Sequence, residues 1–140
     1  VYIRFNAWLD HITPSPAFHS TYSLIIYEKP NTRGAGTELL HGLITRVQEH
    51  AVSIGAEYTC ITANELKKHV RTLITDAEIA ATRAATLVQF ASPSKLKHFQ
   101  TKLPAMAWFE LKYHRSPIDD NEADAAALLD FSIKEFGEGD

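Results

Sequence analysis

The spacing of apolar positions predicts a helix and two strands in the first part of the chain. Apolar residues at helical spacing over residues 1–12 predict a short amphipathic helix that ends before Pro14. The apolar run over residues 22–27 is rich in β-branched and aromatic side chains, and it predicts a strand buried on both faces and stopped by Pro30. A second strand is predicted over residues 56–62.

The clearest helix is predicted from roughly Thr37 to Ser53. Thr37 can cap its first turn, and Gly55 is the glycine expected just beyond a helix C-terminus. The predicted helix has a wide apolar stripe, made by Leu39, Leu40, Leu43, Ile44, Val47 and Ala51.

The rest of the chain carries mainly helical patterns. Asn64 is the expected cap of the first of them, and Thr75 or Asp76 is the expected cap of the second. Strand, helix, strand and then helices is the order of an α/β protein, here predicted as one domain over residues 1–140. The predicted segments are a helix that starts within 63–70, an alanine-rich helix over 75–90, a basic loop or broken helix over 91–104, a helix over 105–114 and a C-terminal helix over 121–136.

Charge is unevenly distributed along the chain. The formal net charge is −3, but residues 64–115 contain nine Lys or Arg against four Asp or Glu, and residues 116–140 contain one against eight. A basic middle beside an acidic end is typical of a protein that binds a polyanion on one surface and cations at one point. Solvated helix faces followed by an acidic tail explain the same distribution equally well.

The remaining composition restricts the class of protein. The single cysteine, Cys60, cannot form an internal disulfide, and no apolar run approaches the roughly 18 residues that span a bilayer. These features predict a cytoplasmic protein that does not enter a membrane. The chain also lacks a complete dinucleotide fingerprint, a P-loop, an H-E-x-x-H zinc motif and a Gly-x-Ser-x-Gly elbow, which argues against those classes of site.

The stretch "SPIDDNEADAAALLDF", residues 116–131, crowds four acidic side chains ahead of a helical pattern. On a helix, Asp120 and Asp124 lie one turn apart on the same face, whereas Glu122 points nearly the opposite way. The alternative is structural: Asp119 or Asp120 caps the helix, and the other acids complement its dipole.

Glu28 favours a metal site over a simple cap. It is predicted at the carboxyl end of a buried strand, where α/β sheets tend to place their sites and where a carboxylate is costly to bury without a cation or a donor. Glu28 with Asp120 and Asp124 forms the oxygen-rich donor set that Mg²⁺ or Mn²⁺ prefers. Two such ions can activate water for phosphodiester cleavage.

Two separated motifs resemble those of the RuvC-like endonucleases, particularly the phage-type branch, within the ribonuclease-H-like superfamily. They are "IIYEKP…RGAGTELLHGLITRVQEHA…IGAEYT", in which Glu28, Gly36 and Gly42 match, and "PIDDNEADAAALL", in which Asp120 to Ala125 match. The resemblance covers residues 22–61 and 116–136. It implies a ribonuclease-H-like mixed sheet flanked by helices, and a phage- or prophage-encoded homodimer that nicks branched DNA such as Holliday junctions with a divalent metal.

The chain departs from that family in two respects. The family's opening strand, which carries a first catalytic Asp, has no counterpart, so the fold is expected to be N-terminally incomplete and the printed chain to cleave little or no DNA. The family's lysine-bearing loop is also uncertain, because both "NELKKHVRT" and "SPSKLKHFQTKLPAM" resemble it. Lys102 is assigned as the catalytic lysine; a phosphate-contacting or merely solvated lysine is the alternative.

The basic residues predict where a DNA backbone lies, since such contacts position DNA without reading its sequence. The helix over residues 37–53 is the predicted dimer interface, although burial in the core is the simpler account of its apolar arc. A DNA-binding remnant without catalysis and an α/β interaction module whose acids only cap a helix are the competing functions. The predicted contacts are Arg33, Lys67, Lys68, Lys95, Lys97 and Lys102.

Overall fold

The computed structural model describes residues 2–12, 24–30 and 36–137. The chain divides into two compact units, Val1–Thr62 and Ala63–Asp140, and each is described by itself. The prediction of a single domain is not tested by this division and stays a prediction. No helix in the described part of the chain combines the length and the apolar character needed to cross a bilayer.

The described residues of the first unit form two helices and a pair of parallel strands. The strands pair in register, so that Glu28 lies opposite Ile61, and the amide of Lys29 donates to the carbonyl of Ile61 at 2.7 Å. Both strands and the second helix lie close to their predicted bounds. The elements are α1 (Tyr2–Ile12), β1 (Leu24–Glu28), α2 (Thr37–Ser53) and β2 (Glu57–Ile61).

The prediction of an α/β chain is therefore confirmed at a coarse level: the described residues are mostly helical, with a small parallel sheet. The prediction that the first strand is buried on both faces is wrong, since Leu24 to Tyr27 are only half-buried and Glu28 is exposed. A mixed sheet and a ribonuclease-H-like arrangement stay predictions.

The start of α2 also differs from the prediction. Its N-cap is Gly36 and not Thr37, and no side chain caps the first turn. Gly36 has a φ of 93°, in the left-handed region that suits glycine, so the chain enters the helix through a conformation that a capping threonine would resist. At the other end, Gly55 follows the helix with a φ of 72°, as predicted for a helix-terminating glycine.

The second unit is entirely helical in its described part. The last helix (Asp120–Phe136) packs on the helices Ala63–Leu73 and Pro93–Tyr113, and two of its alanines, Ala123 and Ala127, are completely buried. The largest side chains of the core are Trp108 and Phe109. The helices are α3 (Ala63–Leu73), α4 (Asp76–Ala80), α5 (Arg83–Gln89), α6 (Pro93–Tyr113) and α7 (Asp120–Phe136).

Two predictions for residues 63–90 are wrong. The first helix begins at Ala63, so Asn64 lies inside it and not at its cap. The alanine-rich helix is broken into α4 and α5, because the hydroxyl of Thr82 accepts from the amide of Ala85 and starts a new helix. The predicted cap at Thr75 is confirmed: it forms a capping box with Glu78, whose pKa is lowered by the hydrogen bonds from the Thr75 backbone and hydroxyl.

The basic loop predicted before residue 105 does not exist. One continuous helix, α6, runs from Pro93 through Pro104 to Tyr113. An internal proline costs a helix about 3 kcal/mol because it removes one backbone hydrogen bond and crowds the preceding turn. Here every residue from Pro104 to Phe109 is buried, and that burial offsets the cost.

Replacing Thr82 with alanine should lower the free energy of unfolding by about 0.5–2 kcal/mol, the usual cost of losing an N-cap. Thr82 is only 4% exposed, and its hydroxyl also donates to the carbonyl of Ile79 at 2.7 Å, which places the effect in the upper half of that range. Urea denaturation followed by circular dichroism measures the change. Thr86→Ala, at an exposed position within the same helix, is the matched control and should change stability by less than about 0.5 kcal/mol.

Candidate functional site

Two carboxylates and one ammonium group meet between α6 and α7. The Nζ atom of Lys102 donates to Oδ2 of Asp124 and lies 3.8 Å from Oδ2 of Asp120. Asp120 and Asp124 are one turn apart on α7, so both carboxylates project to the same side of the helix. These three side chains are between 21% and 26% exposed, which leaves the group reachable from solvent.

His98 extends this group toward the start of α6. Its Nε2 atom lies 3.3 Å from Oδ2 of Asp120, and its side chain is 56% exposed. His98 and Lys102 are four residues apart on α6, so they lie on one face and meet Asp120 from the same side. We call His98, Lys102, Asp120 and Asp124 the carboxylate–lysine cluster.

The other two acids of this stretch have structural roles. Asp119 is the N-cap of α7, and its Oδ1 accepts from the amide of Glu122 at 2.9 Å. Glu122 forms a two-point ion pair with Arg115 and accepts from the amide of Ile118. The hydrogen bond from Arg115 and the one from Ile118 lower the pKa of Glu122. Asp119 and Glu122 therefore stabilise the start of α7, as the helix-cap alternative predicts. These hydrogen bonds do not involve Asp120 or Asp124, whose carboxylates meet Lys102 instead.

Glu28 lies in the first unit, at the end of β1. It is exposed, so the sequence argument that a buried acid requires a cation does not apply to it. It borders an open groove of about 370 Å³ that is otherwise mainly apolar and is lined by Phe5, Lys29, Pro30, Leu40, Leu43, Ile44 and Val47. Its assignment to one site with Asp120 and Asp124 stays a prediction.

The predicted DNA contacts fall into three groups. Lys67, Lys68, Lys95 and Lys97 are exposed on α3 and α6, and no carboxylate within the described residues lies at ion-pair distance from their ammonium groups. Lys102 belongs to the carboxylate–lysine cluster. Arg33 lies outside the described residues. Exposed lysines of this kind suit contacts to a phosphate backbone, and that role stays a prediction.

A second polar group in this unit was not predicted. Asp130 of α7 accepts from Nε2 of His69 at 3.0 Å and from Nζ of Lys112. Lys112 also lies over the ring of Trp108, 4.8 Å from its centroid. Burial alone would raise the pKa of Asp130, but the hydrogen bonds from Lys112 and His69 outweigh it and hold the pKa below its ordinary value.

The sequence contained a signal for this second group. His69 stands three residues after Leu66 and directly before Val70, which places it on the apolar face of α3, and all three are buried. A histidine on a buried face requires a hydrogen-bond partner. The sequence did not identify the partner, because Asp130 lies 61 positions further along the chain.

The residues of the carboxylate–lysine cluster that could hold a divalent ion are the two carboxylates on α7, Asp120 and Asp124. Mg²⁺ keeps several waters and is typically held by one or two carboxylates together with substrate phosphates, and Asp120 and Asp124 already converge on one cation, the Lys102 ammonium. Within residues 2–12, 24–30 and 36–137, no group of three or more His, Cys, Asp or Glu side chains is arranged to hold a metal. Comparison of the chain with protein-family models, curated proteins and solved structures finds no match.

Proposed function

We propose that the chain is the nuclease domain of a divalent-metal-dependent, structure-selective DNA endonuclease of the RuvC-like kind. The observation that carries the proposal is the convergence of Asp120 and Asp124 on a single cationic group. A helix that only needed capping would use Asp119, which already fills that position. The resemblance of residues 22–61 and 116–136 to the RuvC-like family supports the same function.

In this proposal the residues of the chain have distinct roles. Asp120 and Asp124 hold Mg²⁺ or Mn²⁺, and Glu28 is the further carboxylate that the family resemblance assigns. When bound, the ion activates water and stabilises the leaving oxygen of a phosphodiester. Lys67, Lys68, Lys95 and Lys97 contact the DNA backbone and supply affinity that falls with salt, without reading sequence.

The homodimer expected through α2 belongs to the same proposal. Two leucines of its first turn, Leu39 and Leu40, are 43% and 45% exposed. Contiguous exposed apolar surface marks interaction sites, and these two side chains support α2 as the interface.

A nicking assay on branched DNA tests the function. Four-way and flapped DNA labelled on each strand is incubated with residues 1–140 and with a protein that also carries the first catalytic strand implied by the family resemblance, in Mg²⁺, Mn²⁺ or EDTA. Metal-dependent nicks near the branch are expected from the protein with the added strand, and few or none from residues 1–140, because the carboxylate of that strand completes the site. The double variant Glu28→Gln, Asp124→Asn should lose at least about 100-fold in rate, since each carboxylate is assigned to a metal that supplies several kcal/mol of stabilisation.

Asp76→Asn is the matched control, because Asp76 is a helical aspartate whose only assigned role is an exposed ion pair with Arg71. It should cleave like the unmodified protein. Metal-dependent nicking that survives the double variant would remove the proposed mechanism. Salt-sensitive DNA binding without any cleavage would favour the DNA-binding remnant, and the absence of both DNA and metal affinity would favour the interaction module.

A further inference from the structure

In the carboxylate–lysine cluster, the chain's own ammonium group lies against both carboxylates that are assigned to the metal. Nζ of Lys102 lies within ion-pair distance of both Asp120 and Asp124, and these are the two carboxylates assigned to the metal. A divalent ion bound by the same oxygen atoms would be only a few ångströms from that ammonium. Like charges at such a separation repel strongly in a half-buried setting.

We infer that Lys102 is an internal counter-cation that excludes the divalent ion, so that the lysine-paired and metal-bound forms of the cluster are alternatives. This inference rests on the proposed function, since it concerns the regulation of the same site. The lysine-paired form is a resting state in which the Lys102 ammonium, and not a metal ion, balances part of the charge of the two carboxylates. Metal binding then requires the Lys102 side chain to swing away from α7.

The surroundings of Lys102 allow that movement. Its side chain is 26% exposed, so part of it already contacts water. The buried run of α6 begins two residues later, at Pro104, and fixes the backbone while the long side chain remains able to rotate. Lys112, ten residues along the same helix, is held differently, because it lies over the ring of Trp108 as well as on Asp130.

The inference predicts that removing the charge of Lys102 tightens metal binding. Isothermal titration of the full chain with Mn²⁺ should give a dissociation constant about tenfold lower for Lys102→Met than for the unmodified protein, within the usual range of coupling between two binding events. Methionine keeps the length and the apolar stem of the side chain. Lys102→Arg keeps the charge and should bind Mn²⁺ no more tightly than the unmodified protein does.

The outcomes separate the inference from the proposed function. The double variant Asp120→Asn, Asp124→Asn should abolish Mn²⁺ binding whether or not Lys102 is replaced, which tests the site itself. If that double variant abolishes binding but Lys102→Met binds Mn²⁺ no more tightly than the unmodified protein, the counter-cation role is overturned and the metal site stands. If neither the unmodified protein nor Lys102→Met binds Mn²⁺, the proposed metal site fails and the inference falls with it. Lys102→Gln provides a second neutral variant should methionine impair folding, which circular dichroism reports.

Discussion

Replacing Phe109 with alanine should lower the free energy of unfolding by about 3–5 kcal/mol, the usual cost of removing a large aromatic side chain from a core. Phe109 is 2% exposed on the buried run of α6. Its ring contacts that of Tyr113, with centroids 4.6 Å apart, and the Arg115 guanidinium lies 4.8 Å from its centroid. The variant therefore loses burial, an aromatic contact and a cation–π contact together.

A loss of that size is a large part of the 5–15 kcal/mol that typically stabilises a folded domain, so the variant should unfold at much lower urea or temperature. Phe90→Ala is the matched control, because it makes the same chemical change at a side chain that is 82% exposed. It should change stability by less than about 0.5 kcal/mol. Equal effects of the two substitutions would contradict the assignment of Phe109 to the core.

The helices that the sequence predicted well are those whose signals are local. The bounds of α2 follow from its apolar stripe and from Gly55, and α7 follows from its alanine-rich pattern and the acids at its start. Periodicity and helix-end residues lie within one or two turns of the element that they define. The same holds for the two strands, whose positions were predicted although the burial of the first was not.

The errors occurred where tertiary packing outweighs local preference. Pro104 is a helix breaker by its own chemistry, yet α6 continues through it because the residues from 104 to 109 are buried. The opposite occurs at Thr82, where continuous helix formers are interrupted by a capping hydroxyl. Neither outcome can be read from propensity, because both depend on what the neighbouring helices cover.

In the candidate site, too, the features with a local sequence signal were predicted and those that depend on packing were not. The i, i+4 spacing of Asp120 and Asp124 places them on one face without any knowledge of the fold. Which cation they meet depends on α6. Lys102 was assigned to the same site through the family resemblance, but the broken helix or loop predicted for residues 91–104 gave no geometric reason to place it opposite them. His98 was missed for the same reason, although its spacing to Lys102 becomes a clear signal once α6 is known to be one helix.

Replacing Asp130 with asparagine should lower the free energy of unfolding at neutral pH by about 1–3 kcal/mol, the usual cost of losing a partly buried hydrogen bond to a charged group. The ionised carboxylate only accepts, so it can receive both the Nε2 proton of His69 and a proton of the Lys112 ammonium. Asparagine of the same shape presents an amide NH₂ to one of these donors. Both hydrogen bonds then lose their charge assistance, and the amide is satisfied only if His69 changes tautomer so that its Nε2 accepts.

The effect of Asp130→Asn should depend on pH, with a sign set by the lowered pKa of Asp130 in the folded protein. A carboxyl whose folded-state pKa is depressed stabilises the fold above its unfolded-state pKa of about 3.9, and the contribution is lost as the pH falls through the folded-state value. The difference in the free energy of unfolding between the two proteins should therefore have its full size at pH 6 to 7, where it stays constant to within about 0.5 kcal/mol. It should shrink steadily below about pH 4.

Asp76→Asn is the matched control for this substitution, because its ion pair with Arg71 is exposed, with side chains 93% and 55% accessible. Exposed pairs contribute little, so this variant should change the free energy of unfolding by less than about 1 kcal/mol. Urea denaturation of both variants from pH 3 to pH 7 makes the comparison. A difference between Asp130→Asn and the unmodified protein that persists unchanged at pH 3 would mean that the loss comes from packing, and the charge-assisted hydrogen bonds to His69 and Lys112 would then contribute nothing measurable.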